Sequence, residues 1–341
     1  MATDARPASK PGTPAEHLGR WLDQFRDRIN LNAIDSHARK PVRLRVAGPR
    51  AGELIAVLDP DAAPLSSVFE SADAVTPTDA ATKAFLYVRS IDDPPVPDVL
   101  PSVGSALPVF IVEYRRPEAM VAPDSGIATT APDRRPSVDH PGTYRLSALT
   151  VAEMRKHLLH DIVLSCNGVE VALGAALPVF RPTVAARLTL DCAVTCLKVA
   201  GASALADHVP VLGFVLGGIA SAGDTIAITG LQIDMLLKIS AAYGKRAEFA
   251  RVVELLPVIG GGYGWRALAR ELSGFIPVAG IPIKAGIAYA GTLVVGQAAS
   301  YYYEHGTPLA AESTKALYHD ALERAKKLVS ELIERSRRNK K

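Results

Sequence analysis

Between Leu272 and Tyr303 the chain carries a single charged side chain, Lys284, in 32 consecutive positions. A stretch this long and apolar has two outlets. It can enter a bilayer, whose hydrocarbon core of about 30 Å needs about 20 helical residues to cross. It can also form a helix buried on all sides within a protein. Glycines at 274, 280, 286, 291 and 296 provide small-residue faces, on which helix backbones approach one another closely. Pro277 and Pro282 predict a break near its start. Tyr263 and Trp265 precede the stretch and Tyr301, Tyr302 and Tyr303 close it, as amphipathic aromatics do at the two membrane interfaces. Lys284 opposes a simple span, because a lysine in mid-bilayer is costly unless it snorkels or meets a partner. A short hairpin that enters without crossing is therefore the form of insertion that fits the broken start. Gly280, Gly286, Gly291, Gly296, Lys284, Trp265, Tyr301, Tyr302 and Tyr303 are the candidate helix-packing and membrane-contact residues.

The distribution of charge divides the chain. Of 73 charged side chains in 341 residues, 19 fall among the 147 positions from His157 to Tyr303. That step marks a change of environment near both ends of the segment. The net charge of +3 and aromatic content of 6% give neither the basic face nor the stacking platform of a nucleic-acid binder. Three cysteines, Cys166, Cys192 and Cys196, are too few and odd in number for a disulfide framework and suit a reducing compartment. The first residues lack an apolar core of the secretory type, so residues 1–14 read as a solvated Pro/Ala tail.

Leu18, Trp21, Leu22, Phe25 and Ile29 recur at helical spacing and predict an amphipathic helix. Residues 41–48 alternate apolar and polar side chains and end in a glycine, and residues 83–89 and 107–114 are short apolar runs, β-branched and aromatic, bounded by Pro and Gly. Buried strands of an α/β sheet have this appearance, and residues 15–115 are read as a small α/β domain. Residues 116–146, rich in Pro, Asp, Arg and Ser, read as a linker. A helical, Gly/Ala-rich hydrophobic domain follows over 147–308, opened by an N-cap in Ser147–Thr150. Within it, residues 208–224 are apolar but short, which favours a buried or re-entrant hairpin. Asp207, His208 and Asp224 mark its wet ends. The helix after it should end at Gly244. Residues 309–341 form an amphipathic helix with a basic tail that could touch anionic head groups. The fold class is thus α+β overall, with a small α/β domain before an all-α one.

Motifs that carry chemistry are scarce. Gly48-Pro-Arg-Ala-Gly52-Glu53 stands after the first strand, where a phosphate loop belongs. Its second glycine comes one residue early, and Glu53 would repel a phosphate. His157 and His160 lie one turn apart with Glu153 and Asp161 nearby, yet nothing completes a metal shell. Cys192 and Cys196 read as small core residues. Asp59, Asp61, Asp92 and Asp93 sit among prolines and read as turn formers. No catalytic residue, cofactor or metal is expected.

The sequence DTIAITGLQIDMLLKISAAYG (224–244) is followed by GGGYGWRALARELSGFIPVAGIPIKAGIAYAGTLVVGQAASYYYEHG (260–306). Residues 224–308 resemble the bacterial domain of unknown function found behind GTPase modules and in YcjF-type inner-membrane proteins. The resemblance implies a membrane-associated helical domain coupled to a GTPase, with the α/β domain a degenerate GTPase-like unit. That unit lacks both the phosphate loop and an Asn-Lys-x-Asp guanine-reading motif.

The expectation is a non-enzymatic accessory or adaptor protein at the cytoplasmic membrane, its α/β domain facing the cytoplasm. The lipid bilayer, a GTPase and a second copy of the chain are the expected partners, and nucleic acid is not. A soluble cytoplasmic scaffold or pseudo-GTPase adaptor is the alternative, and a nucleotide hydrolase with an unrecognised site is a third reading.

Overall fold

The structure, a computed structural model, describes residues 22–60, 68–71, 80–97, 107–115, 142–206, 213–261 and 281–338. Five parallel strands form one sheet: β1 (Arg43–Ala47), β2 (Phe69–Ser71), β3 (Thr82–Ser90), β4 (Val109–Tyr114) and β5 (Thr143–Leu146). Their order is β2-β1-β3-β4-β5, that of a doubly wound α/β fold. The register pairs Leu44 with Ala84 and Arg45 with Phe85 across β1 and β3, and Arg89 with Glu113 across β3 and β4. Leu44, Val46, Leu86, Val88, Phe110 and Val112 therefore share one face and join the main core. Ala47, Phe85, Tyr87 and Ile111 form a smaller cluster on the other. Burial on both faces explains why the centre of β3, residues 84–88, is apolar without interruption.

Two strands differ from the sequence reading. β2 has only three residues, too few for a periodic signal. β5 is the sequence Thr-Tyr-Arg-Leu at the end of the segment read as a linker; only Leu146 of its four residues is buried. An edge strand needs little apolar content, which is why composition concealed it.

Helices α1 (Leu31–Ala38) and α2 (Ala51–Leu58) accompany the sheet. After β5 the Thr150 side chain accepts the Glu153 amide and opens α3 (Val151–His157), the cap the sequence announces. Then come α4 (Leu159–Ser165), α5 (Glu170–Ala176), a 3-10 turn at Pro178–Phe180 and α6 (Arg181–Ala206). The remaining helices are α7 (Gly213–Ala242), α8 (Phe249–Gly261), α9 (Ile281–His305) and α10 (Ala311–Arg338). Residues 213–224, part of the piece read as a hairpin, instead run on without a turn as the beginning of α7. Its one proline, Pro210, lies ahead of the helix and so does not interrupt it. α7 ends as expected: Gly244 adopts a φ of +75°, and the Lys245 amide closes back on the Ser240 carbonyl at 3.0 Å.

α9 is the centre of the helical body, in contact with α6, α7, α8 and α10. Residues 281–303 of the long apolar stretch therefore lie in a helix whose neighbours are other helices. Ala285, Tyr289, Ala290, Val294, Val295, Ala298 and Ala299 are buried there. Among the described residues no helix is long and apolar enough to cross a membrane. The main core runs without interruption from Leu44 and Val88 in the sheet, through Leu159 and Phe180, to Leu237 and Val295 in the helices. Leu22, Phe25 and Ile29 from the first amphipathic segment belong to it as well.

Candidate functional site

In a sheet of this order the chain leaves β1 toward one edge and returns to β3 on the other side. The crevice outside the carboxyl ends of those two strands is where such folds hold ligands. Here that place is filled by the chain itself. Gly48 follows β1 with a φ of +99°. A Cβ at Gly48 would fall 2.4 Å from the Val88 carbonyl oxygen, so no other residue fits this turn. The next residues are stitched down. Pro49 has no amide hydrogen. The Arg50 amide donates to the Val88 carbonyl at 3.2 Å, the Ala51 amide to the Gly48 carbonyl at 3.2 Å, and the Glu53 amide to the Arg50 carbonyl at 3.1 Å. A phosphate loop works by pointing such amides at its ligand, and these point inward.

Side chains complete the closure. The Arg50 guanidinium donates to both carboxylate oxygens of Asp93, Nε at 2.8 Å and Nη2 at 2.7 Å. Its third donor, Nη1, reaches Glu53 at 3.1 Å. Asp93 also accepts the Ser90 amide at 2.8 Å, and the Tyr114 hydroxyl donates to Glu53. The hydrogen bonds from Arg50 hold the Asp93 carboxyl below its usual range, as a bidentate guanidinium should. Beneath this layer Arg89 donates to Glu113 at 2.9 Å and to the Asp93 carbonyl at 2.7 Å. Arg89 and Glu113 are nearly inaccessible, with side chains 6% and 5% exposed. That a parallel sheet buries an Arg–Glu pair at cross-strand register is explained by mutual neutralisation. Arg145 of β5 adds a second cation on Glu113 at 3.4 Å.

Asp93 is thus more than a turn former: it is the partner of Arg50 from the neighbouring strand end. The sequence signal was an Arg in the loop after the first strand and an Asp just past the third, a relation visible only once the strand order is known. The Glu53 carboxylate stands where it was expected to repel a phosphate, held by Arg50 and Tyr114.

The other candidate residues that the structure describes lie on α9. Trp265 and Gly280 lie outside the described residues. Lys284 falls in the first turn of α9. A Cβ at Gly296 would fall 2.1 Å from Thr189 Oγ1 and 2.8 Å from Thr189 Cβ, which makes Gly296 a point of close approach between α9 and α6. Gly286 faces Leu322 and Ala325 of α10 at ordinary contact distance, and Gly291 faces open space. The three tyrosines divide. Tyr303 shares a 2.8 Å hydrogen bond with Ser240, Tyr302 packs on Tyr303 with the rings tilted by 53°, and Tyr301 stacks on His305 at 4.1 Å. With Tyr243–Ser300 at 2.9 Å and Gln232–Thr292 at 3.0 Å, Tyr303–Ser240 forms a row of polar links that pins α9 to the end of α7. No group of three or more His, Cys, Asp or Glu side chains that could hold a metal occurs among the described residues. His157 and His160 are no exception. Compared with protein-family models, with curated proteins and with solved structures, the chain matches none.

Proposed function

We propose that this chain is a non-enzymatic adaptor. Its α/β unit is a degenerate, GTPase-like module that holds itself shut, and its helical body is the platform that meets partners, a GTPase among them. One observation carries the reading: the Arg50, Ala51 and Glu53 amides after β1 are engaged by backbone carbonyls, and Arg50, Glu53 and Asp93 bond to one another at the carboxyl ends of β1 and β3. The resemblance of residues 224–308 to a domain that accompanies GTPases supplies the kind of partner. The test is thermal unfolding of the full chain with GTP or ATP and Mg²⁺. A ligand held only by the folded state at about 100 times its Kd adds about 2.7 kcal/mol, so a nucleotide site would declare itself as a clear rise in Tm. No rise is expected; a saturable rise would overturn the reading and restore the hydrolase alternative.

A second reading, association with a bilayer, is favoured by the apolar sequence of residues 208–224 and 272–280. Most of both segments falls outside the described side chains. Acidic substitutions at Ala288 or Leu293 do not test it, because both pack against the cluster of α6 and α9 and would disrupt the bundle in water or lipid alike. Fractionation of the native chain does test it. Extraction by detergent but not by carbonate supports insertion, whereas recovery without detergent leaves the soluble adaptor.

A further inference from the structure

Two of the three cysteines face each other across one turn of α6, Cys192 Sγ lying 3.9 Å from Cys196 Sγ. Cys196 is fully buried and Cys192 half-buried, at the junction where α6, α7 and α9 meet. Side chains at this spacing have Cβ atoms about 5–6 Å apart, beyond the roughly 3.5–4.5 Å that a disulfide tolerates. Direct oxidation to a disulfide would therefore have to deform the helix. An atom bridging the two sulfurs would not. With thiolate–metal bonds of about 2.3 Å, sulfurs 3.9 Å apart subtend an angle of about 116°, near the trigonal value. The Cys192 thiol donates to the Leu231 carbonyl at 3.5 Å, which places the pair against α7.

We infer that Cys192 and Cys196 form a chelating site for a soft monovalent metal ion of the Cu⁺ class. The count of donors selects the ion. Zinc takes four ligands in a closed site, and the described residues offer no third His, Cys, Asp or Glu here. Thiolates alone favour Cu⁺. Binding is 2 RSH + Cu⁺ → [RS–Cu–SR]⁻ + 2 H⁺, with no change of oxidation state. Cys166 stands apart, its thiol pushed up to about 11 by burial, and serves as the internal control.

The test titrates the full-length chain with Cu⁺ without oxygen, against a chromophoric Cu⁺ chelator. One ion per chain is expected, with proton release. Loss of an outer-sphere partner already costs about 10–100-fold in affinity, so Cys192→Ser or Cys196→Ser should weaken binding by at least about 100-fold. Cys166→Ser should leave it unchanged. Because a variant at the buried Cys196 could fail to fold, a second measurement uses the native chain: alkylation of Cys192, mapped by mass spectrometry with and without one equivalent of Ag⁺. Protection of Cys192 supports the site. Equal labelling with and without the ion overturns it, as does undiminished Cu⁺ binding in a variant that combines Cys192→Ser with Cys196→Ser.

Discussion

Replacing Gly296 by alanine tests whether α6 and α9 truly meet at the distance the structure gives. The new methyl would lie 2.1 Å from Thr189 Oγ1, 2.4 Å from Cγ2 and 2.8 Å from Cβ. Rotation of Thr189 could move its hydroxyl and methyl, but not its Cβ. Thr189 is itself buried, 4% exposed, with its hydroxyl bonded to the Ala185 carbonyl at 2.7 Å. The helices must therefore separate. Overpacking of this kind costs about 1–3 kcal/mol, and removing a helical glycine returns about 0.5–1 kcal/mol. A net loss of up to about 2.5 kcal/mol, centred near ~1, remains, read as a Tm lower by roughly 1–3 °C in a chain of 341 residues. Gly291→Ala in the same helix meets nothing within 4 Å and should be neutral or slightly stabilising. Thr189→Ala removes the two nearest atoms and leaves the one at 2.8 Å, so Gly296→Ala should cost less on that background, with a coupling of about 1 kcal/mol. Chemical denaturation of the four chains of this cycle measures it. If Gly296→Ala is as stable as the native chain, or loses as much on the Thr189→Ala background as with Thr189 in place, the close approach is refuted.

Two further outcomes follow from the polar contacts. Asp93 has a folded pKa depressed by Arg50, so its contribution is complete above about pH 4, the ordinary carboxylate value, and is lost as pH falls through the lower folded value. Asp93→Asn should lower Tm at neutral pH and lose less on acidification; equal acid losses in both chains would show that the ion pair contributes nothing. Tyr303→Phe removes the link to Ser240, which keeps its bond to the Leu236 carbonyl at 2.8 Å, so the loss should be about 1 kcal/mol in denaturant unfolding, and an unchanged midpoint would count against the contact.

Much of the scaffold was legible before the structure. The runs at 41–48 and 107–114 contain β1 and β4, and the run at 83–89 lies within β3, because strands buried on both faces are apolar over most of their length. The Thr150 cap and Gly244 stop were legible because each is a local backbone requirement. Hydrophobicity could not say what surrounds α9. Lipid and packed helices select similar side chains, and that Thr189, Ser240 and Ala325 on other helices are its neighbours follows from the fold rather than from pattern. The crevice was half legible. Gly48 and Glu53 announced a loop unsuited to phosphate, but the Arg50–Asp93 bond joins residues 43 positions apart, and pairing at that range follows from strand order rather than from pattern.

The Asp35 carboxylate accepts the Ala247 amide at 2.8 Å across 212 positions of sequence, and Phe25 lies within 3.5 Å of the place where a Gly230 side chain would begin. On a ribosome adding about 5–20 residues per second, a separation of 212 residues is roughly 10–40 s of synthesis. For that time the apolar faces of Leu22, Phe25, Ile29 and Ile34 lack the helix that covers them. The nascent chain is thus obliged to hold its first segment unfinished until α7 is translated. Its yield in a cell should depend on holdase capacity and on the pace of translation through residues 213–247 more than on the strength of any contact in the finished fold.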